Sequence, residues 1–124
     1  RLSEAKAAAI QTLARAVTTG TLDLDALRRA PDDVVERALC ELRGIGPWTA
    51  HMFLIFHLRR PDVWPIGDYG VRQGFKSIFG LAELPTPRAL GALGEPYRPH
   101  RSAVAWYCWR AVERGRAPVP RSNS

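Results

Sequence analysis

One residue whose type and position suit catalysis is an aspartate at the start of a predicted helix. Asp68 follows a loop rich in helix breakers, residues 60–67, and begins a helix predicted to end near Gly80. The helix dipole and the free amides of the first turn favour the charged form of such a carboxylate. An ionised carboxylate can stabilise developing positive charge or activate a water molecule. Because N-cap aspartates are common, a purely capping role is open at this point.

A glycine-rich turn between two predicted helices is the second candidate site. It lies in the segment LRGIGPWTA, residues 42–50. Glycines at 44 and 46 permit a tight reversal and the close approach of another backbone. The amides at the start of the next helix can then converge on one phosphate, while Ile45 is expected to fill the space between the helices. By itself the pattern also fits a plain structural hairpin.

Helices are predicted along the chain, and no segment alternates like a strand, so the fold class is all-α. Ser3 caps a first helix that runs to about Val17, whose predicted apolar face is Ala9, Ile10, Leu13, Ala14 and Val17. The remaining predicted elements are the hairpin at about 34–58, the Asp68 loop and helix at 61–80, and a C-terminal helix at 99–115. Residues 1–115 are interpreted as one partial domain, and residues 116–124 as a flexible tail.

Charge is distributed unevenly along the 124 residues. The net charge is +6, and the first 58 residues are neutral, so the remainder carries the whole excess. All but two of the 18 basic residues are arginine, which favours bidentate contacts with phosphate groups. This asymmetry favours a polyanionic partner, although arginine-rich surfaces also occur in proteins that never contact nucleic acid.

Membrane spans and cysteine-rich metal sites are not expected from this sequence. The longest apolar run, residues 52–56, is far shorter than a transmembrane segment. Cys40 and Cys108 are interpreted as buried thiols within helices, and two cysteines cannot provide a four-cysteine iron–sulfur site. A cytoplasmic location is the default expectation.

The two motifs, in this order, resemble the helix-hairpin-helix superfamily of DNA glycosylases, and within it the 3-methyladenine DNA glycosylase II type. The residues concerned are Leu-x-Gly-Ile-Gly followed by Thr-Ala at 42–50, and PIGDYGVR at 65–72. The run YRPHRS at 97–102 resembles a further family segment. The resemblance covers about residues 2–114 and implies the C-terminal part of a helical catalytic domain without its first helices.

The resemblance implies a role for individual residues. Asp68 would be the catalytic carboxylate, and Arg72 and Arg101 would contact DNA or support the fold. The residues of the phosphate-binding hairpin would be Leu42, Arg43, Gly44, Ile45, Gly46 and Thr49. The base pocket would be lined by Trp48, Met52, Trp64, Tyr69 and His100. Carbonyl groups near Leu42 would hold a monovalent cation, Na⁺ or K⁺.

The activity implied is hydrolysis of the N-glycosidic bond of alkylated bases in damaged double-stranded DNA, as in base-excision repair. Bifunctional members carry a lysine in the hairpin helix, and Trp48 stands at that position, so a monofunctional enzyme without lyase activity is expected. No organic cofactor or iron–sulfur cluster is expected.

Two other interpretations stay open. One is a non-catalytic helix-hairpin-helix DNA-binding module or incomplete glycosylase fragment, for which the implied missing front helices would come from another chain or from self-association. The other, less favoured, is a purely structural helical domain. Trp106, Trp109 and Phe53 are interpreted as core residues.

Overall fold

The computed structural model describes residues 3–116, and this range contains helices and turns but no strand. Its α-helices are α1 Glu4–Thr18, α2 Leu24–Arg29, α3 Asp32–Cys40, α4 Pro47–Met52, α5 Tyr69–Phe79, α6 Pro87–Leu93 and α7 Arg101–Arg116. A π-helical turn, Phe53–His57, continues α4, and a 3₁₀ turn, Glu95–Tyr97, precedes α7. The all-α prediction is confirmed. No helix in this range combines the length and apolar composition needed to cross a bilayer.

The chain divides into two compact units, Arg1–Val63 and Trp64–Ser124. The predicted hairpin lies in the first unit and Asp68 in the second. Each unit has its own cluster of buried side chains. The interpretation of residues 1–115 as one partial domain stays a prediction, and residues 117–124 of the predicted tail lie outside the described residues.

Helix α1 buries a narrower stripe than its apolar pattern predicts. The buried residues are Ala9, Leu13 and Ala16, whereas Ile10 is 40% exposed. Ala14 is exposed as well, so the predicted five-residue face is wrong in part. The reason is that α1 packs mainly against a single short helix, α4, which covers only a narrow face.

Arg60 holds the end of α2 against the start of α3. Its Nη1 lies 2.7 Å from Oδ1 of Asp32, and its Nη2 donates hydrogen bonds to the carbonyl oxygens of Leu27 (3.0 Å) and Arg28 (3.1 Å). The guanidinium of Arg60 therefore adds hydrogen bonds to carbonyl groups at the end of α2, where the Leu27 carbonyl also accepts one from the Ala30 amide. The connection fixes the position of α3, the first helix of the hairpin.

The second unit is built on close contact between α5 and α7. A Cβ atom added at Gly74 would lie 2.1 Å from the carbonyl oxygen of Cys108, so the two helices approach at a position without a side chain. Phe75, on the next position of α5, packs edge-on against Trp64 at 5.9 Å between ring centroids. Trp64, Phe75 and Cys108 are all buried. This packing supports the N-terminus of α5, where Asp68 lies.

Candidate functional site

The hairpin turn between α3 and α4 depends on the backbone conformation of Gly44. Its φ is +86°, in the left-handed region that side chains with a Cβ disfavour by about 1–2 kcal/mol. A Cβ at Gly44 would meet no atom within 4 Å. The turn therefore requires glycine here for its dihedral angle, while the space around it is open to a ligand.

The residues after Gly44 complete the turn and start α4. Gly46 is the N-cap, with extended dihedrals (φ −111°, ψ −176°), and Pro47 occupies the first helical position, where no N–H donor is needed. Ile45 is buried among Leu39 and Leu54, as expected for a residue that fills the space between the two helices. Buried packing at Ile45 holds the flanking glycines at the surface.

The polar backbone groups of the turn suit an anion. Within residues 3–116, the amides of Gly44 and Gly46 donate no hydrogen bond to another backbone group. The Ile45 amide is used within the turn, donating to the Leu42 carbonyl at 3.1 Å. Arg43 is exposed beside the glycines, and Thr49 is buried at the start of α4. Free amides beside an exposed guanidinium can bind a phosphate group without reading a base.

Asp68 is both the N-cap of α5 and a nearly buried carboxylate. Its residue exposure is 7%, and its Oδ2 accepts a hydrogen bond from the Val71 amide at 2.9 Å. The same oxygen accepts a second hydrogen bond, from Nε1 of Trp109, at 2.7 Å. The capping interpretation of Asp68 is therefore correct and does not exclude chemistry, because these two donors fix a charged group in a defined orientation.

Trp109 is the site residue that the sequence interpretation missed. The apolar pattern predicts a core position for Trp109, but its indole nitrogen contacts Asp68 from α7, 41 positions along the chain. Gly70 permits this contact, since a Cβ there would lie 2.9 Å from Cδ1 of Trp109 and 3.2 Å from Oδ2 of Asp68. An indole packed against the core usually needs a hydrogen-bond acceptor. Gly70, two positions after Asp68, leaves room for the indole to reach that carboxylate, and this glycine was the sequence signal that could have identified Trp109.

The loop before Asp68 is anchored by Trp64. The Trp64 Nε1 group donates to the carbonyl of Leu90 at 2.8 Å, and the Asp68 amide donates to the carbonyl of Pro65 at 3.0 Å. Trp64 is 5% exposed, and a Cβ at Gly94 would fall 2.3 Å from its Nε1. The structure thus places Trp64 in the core as an anchor of the loop, and these contacts leave no open ring face for a base.

Two other predicted pocket residues of the second unit are at the surface. Tyr69, next to Asp68, is 53% exposed and lines a cleft of about 560 Å³ together with Gln73 and Lys76. His100 is exposed just before α7, where its carbonyl accepts a hydrogen bond from the Ala103 amide at 3.1 Å. Both rings are accessible to a partner.

The predicted pocket residues of the first unit lie on α4. Trp48 is half-buried, and Nζ of Lys6 lies 4.1 Å from its ring centroid. Met52, one turn later, lines an apolar cleft of about 300 Å³ with Ile10 and Phe56. The predicted pocket residues are therefore divided between the units, with Trp48 and Met52 in the first and Trp64, Tyr69 and His100 in the second.

Arg72 and Arg101 have structural partners. The Arg72 Nε donates to the carbonyl of Pro85 at 2.8 Å, which ties α5 to the loop before α6. Nη1 of Arg101 lies 3.9 Å from Oε2 of Glu95, and the Arg101 side chain is largely buried. From the sequence alone, Arg72 and Arg101 could either contact DNA or support the fold. The partners observed here favour a role in supporting the fold.

The core interpretation of three aromatic residues is only partly correct. Phe53 is buried, as predicted. Trp106 is 47% exposed on α7 and stacks under the guanidinium of Arg110, so its assignment to the core is wrong. The apolar pattern of α7 continues around the helix, whereas α5 covers only one side, and the pattern alone does not reveal which side is covered.

The thiols and the candidate metal ligands are also placed by the structure. In the part of the chain that the structure describes, no three or more His, Cys, Asp or Glu side chains are grouped to hold a metal ion. Burial raises the pKa of the Cys108 thiol to about 12. Burial and the nearby Glu36 carboxylate raise the pKa of Cys40. Both thiols are therefore held in their neutral form at neutral pH.

Comparisons with known proteins identify relatives in sequence and in fold. DNA-3-methyladenine glycosylase 1 of Schizosaccharomyces pombe is 34% identical over 110 residues, which are 87% of this chain and 48% of that protein. The structure of the same yeast enzyme in complex with abasic DNA superposes with a TM-score of 0.75 at 32% identity, covering 88% of this chain and 53% of the other. DNA-3-methyladenine glycosidase from Bacillus halodurans superposes with a TM-score of 0.70 at 34% identity, covering 89% and 51%.

The chain spans between about a third and a half of the length of the curated relatives that it matches first. No protein-family model matches it. The sequence and the helical fold nevertheless agree with these relatives over most of the chain. The chain belongs to the helix-hairpin-helix superfamily of DNA glycosylases.

Proposed function

We propose that this chain hydrolyses the N-glycosidic bond of alkylated bases in duplex DNA, as a monofunctional glycosylase of the 3-methyladenine type. The observation that carries the proposal is the fixed carboxylate of Asp68, held by the Trp109 indole and the Val71 amide. Cleavage of the bond from base to sugar develops positive charge on the sugar. A desolvated carboxylate held in place beside that charge stabilises it or activates the attacking water.

The hairpin supplies the sequence-independent part of DNA binding in this proposal. The amides of Gly44 and Gly46 would bind one backbone phosphate, and Arg43 would add an exposed positive charge. Extrusion of a base from the duplex costs a few kcal/mol, so accessible ring faces are needed to receive it. Trp48, Tyr69 and His100 are the candidates whose rings are not fully buried. Binding to chromosomal DNA would place the chain at the nucleoid.

A lyase step is not part of the proposal. Trp48 occupies the hairpin position at which bifunctional relatives have a lysine, and an indole cannot form a Schiff base with the sugar. The expected product is therefore an intact abasic site. Treatment of the product with alkali should cleave the strand, whereas the untreated product should stay full-length.

A monovalent cation at the hairpin is a further part of the proposal. The Leu42 carbonyl accepts one hydrogen bond, from Ile45, and a carbonyl oxygen has a second lone pair available for Na⁺ or K⁺. DNA affinity should then be higher in KCl than in a tetramethylammonium salt at equal ionic strength. Equal affinities in the two salts would exclude a bound cation that supports the hairpin.

Base release from methylated duplex DNA by the 124-residue chain and by Asp68→Asn tests the proposal. Asparagine is a good N-cap of the same size, so the variant should fold and bind DNA. Loss of the charge should lower the rate of release by about 100-fold or more. Equal release by both chains would exclude Asp68 as the catalytic carboxylate.

One alternative is supported by the partial length of the chain relative to its relatives. It is a non-catalytic DNA-binding module, or a fragment that needs further helices from another chain or a second copy. Salt-dependent DNA binding without base release from either chain would favour this alternative.

A further inference from the structure

Lys6 places a positive charge on the ring of Trp48. Its Nζ lies 4.1 Å from the ring centroid, within the range of a cation–π interaction. The Lys6 amide donates to Oγ of Ser3 at 3.2 Å, so the capped first turn of α1 fixes the backbone from which this side chain extends. The contact therefore connects two helices, α1 and α4, at the half-buried indole.

The same two helices form the walls of the apolar cleft. Ile10 follows Lys6 by one turn on α1, and Met52 follows Trp48 by one turn on α4, so each pair shares a helix face. Ile10 and Met52 both line the cleft. Apolar side chains thus continue from the charged contact along α1 and α4.

We infer that Lys6 is a specificity-determining residue that lowers the preference of this chain for positively charged damaged bases. The inference rests on the proposed function and on contact between Trp48 and the extruded base. Purines alkylated at N3 or N7 carry a positive charge, whereas hypoxanthine is neutral. The electron-rich face of an indole attracts a cationic base.

The direction of the effect does not depend on which face of Trp48 the base contacts. If the base contacts the face under Lys6, the two cations compete for it. If the base contacts the opposite face, the ammonium withdraws electron density from the ring, and the attraction for a second cation weakens. In both cases direct repulsion between the ammonium and the charged base adds to the effect.

Single-turnover base release from two duplexes tests the inference. One duplex carries N7-methylguanine, which is charged, and the other carries hypoxanthine, which is neutral. Lys6→Met keeps an unbranched side chain and removes the charge, and Lys6→Arg retains the charge. The rate ratio of charged to neutral base should rise about two- to fivefold in Lys6→Met. It should stay within experimental error of the original ratio in Lys6→Arg.

Two controls separate this effect from a folding defect and from failure of the proposed function. In a Trp48→Leu background, Lys6→Met should raise the ratio by less than in the original chain, because only the direct repulsion between the ammonium and the charged base remains to be removed. A merely structural lysine would alter both rates equally in either background. The affinities of Asp68→Asn chains with and without Lys6→Met for the same duplexes give a readout independent of hydrolysis. A shifted affinity ratio without any base release would overturn the proposed hydrolysis and support the role of Lys6. An unchanged ratio in both measurements would overturn the role of Lys6.

Discussion

The hairpin of the first unit and the carboxylate site of the second are built from different parts of the chain. The hairpin offers backbone amides, and its geometry follows from a single left-handed glycine within a nine-residue segment. The carboxylate site offers one side chain, and its geometry needs donors from α5 and α7. A backbone site can be recognised in a short sequence motif, whereas a side-chain site depends on distant contacts that no short motif contains.

Glycine shows the same difference between the units. Gly44 has open space around the missing Cβ and is required for its φ of +86°. Gly74 lies in an ordinary helix and is required because the backbone of Cys108 passes directly against it. The first glycine sets a dihedral angle, and the second sets the distance between two helices. Substitution by alanine should therefore have different costs at the two positions.

Gly74→Ala should be the most destabilising of the changes considered. Helix propensity alone would favour alanine by about 1 kcal/mol. The new Cβ would instead lie 2.1 Å from the Cys108 carbonyl oxygen, which forces α5 and α7 apart. A loss of about 3 kcal/mol or more in the free energy of unfolding is expected, measured by chemical denaturation. A chain as stable as the original would show that the helices can separate without cost.

Trp109→Phe should damage the carboxylate site while leaving the fold nearly intact. The change removes the donor to Oδ2 of Asp68, and a hydrogen bond to a charged group contributes about 1.5–3 kcal/mol. If the proposed function is correct, kcat for base release should fall by about tenfold or more with little change in DNA affinity.

Trp106→Phe is the matched control for this change, because its indole lies exposed on the same helix and should be dispensable for release. Equal losses in the two variants would mean that the contact of Trp109 with Asp68 has no special role.

Arg60→Met tests whether side-chain contacts also contribute to the stability of the first unit, which contains the hairpin. The change removes the ion pair with Asp32 and the hydrogen bonds to two carbonyls of α2. The free energy of unfolding should fall by about 1–3 kcal/mol. Arg37→Met is the matched control, since the Arg37–Asp33 pair is highly exposed and should contribute less than about 0.5 kcal/mol. Similar losses for both arginines would contradict the assigned role of Arg60.

The sequence predicted the local features of this molecule well. The helix after Asp68, predicted to end near Gly80, is observed as Tyr69–Phe79 with Gly80 in a left-handed cap. Helix boundaries of this kind depend on capping residues and glycine, which act within one turn. The hairpin followed from the same local rules. Its role in binding phosphate remains a prediction.

Tertiary contacts are where the sequence interpretation failed. The partners of Trp64 and Trp109 lie 26 and 41 positions away in the chain, so no periodic pattern connects them. Ile10 and Trp106 belong to apolar patterns but are exposed, because each helix is covered on one side only. An apolar stripe predicts which residues can be buried, and the neighbouring elements decide which of them are.

Gly44→Ala should strain the backbone of the hairpin turn without causing a steric clash. The cost of forcing a side chain into the left-handed region is about 1–2 kcal/mol, partly relieved if the turn changes shape. A changed turn would misplace the amides of Gly44 and Gly46, so the affinity for duplex DNA should fall as well. Gly44→Asn should lose less on both measures, because asparagine tolerates this conformation better. Greater damage from asparagine than from alanine would exclude this explanation.

The smallest expected effect is a difference in reactivity between the thiols of Cys40 and Cys108. Cys108 is fully buried in the second unit and Cys40 is partly exposed in the first. In the native chain, one thiol per molecule should react with a disulfide reagent at pH 8, and two should react after denaturation. Reaction of both thiols at equal rates in the native chain would show that the α5–α7 contact opens readily.

Burial of Cys108 also predicts a change of stability in alkali. Its pKa is about 12 in the folded chain and near 9.0 when unfolded, so only the unfolded thiol ionises between these values. The neutral thiol therefore makes no pH-dependent contribution below pH 9, and the free energy of unfolding should decrease as the pH rises from 9 towards 12. Other groups titrate in this range, so the relevant quantity is the difference between the original chain and Cys108→Ala. The slope should be shallower in the variant, and equal slopes would mean that the Cys108 thiol is accessible to water in the folded state.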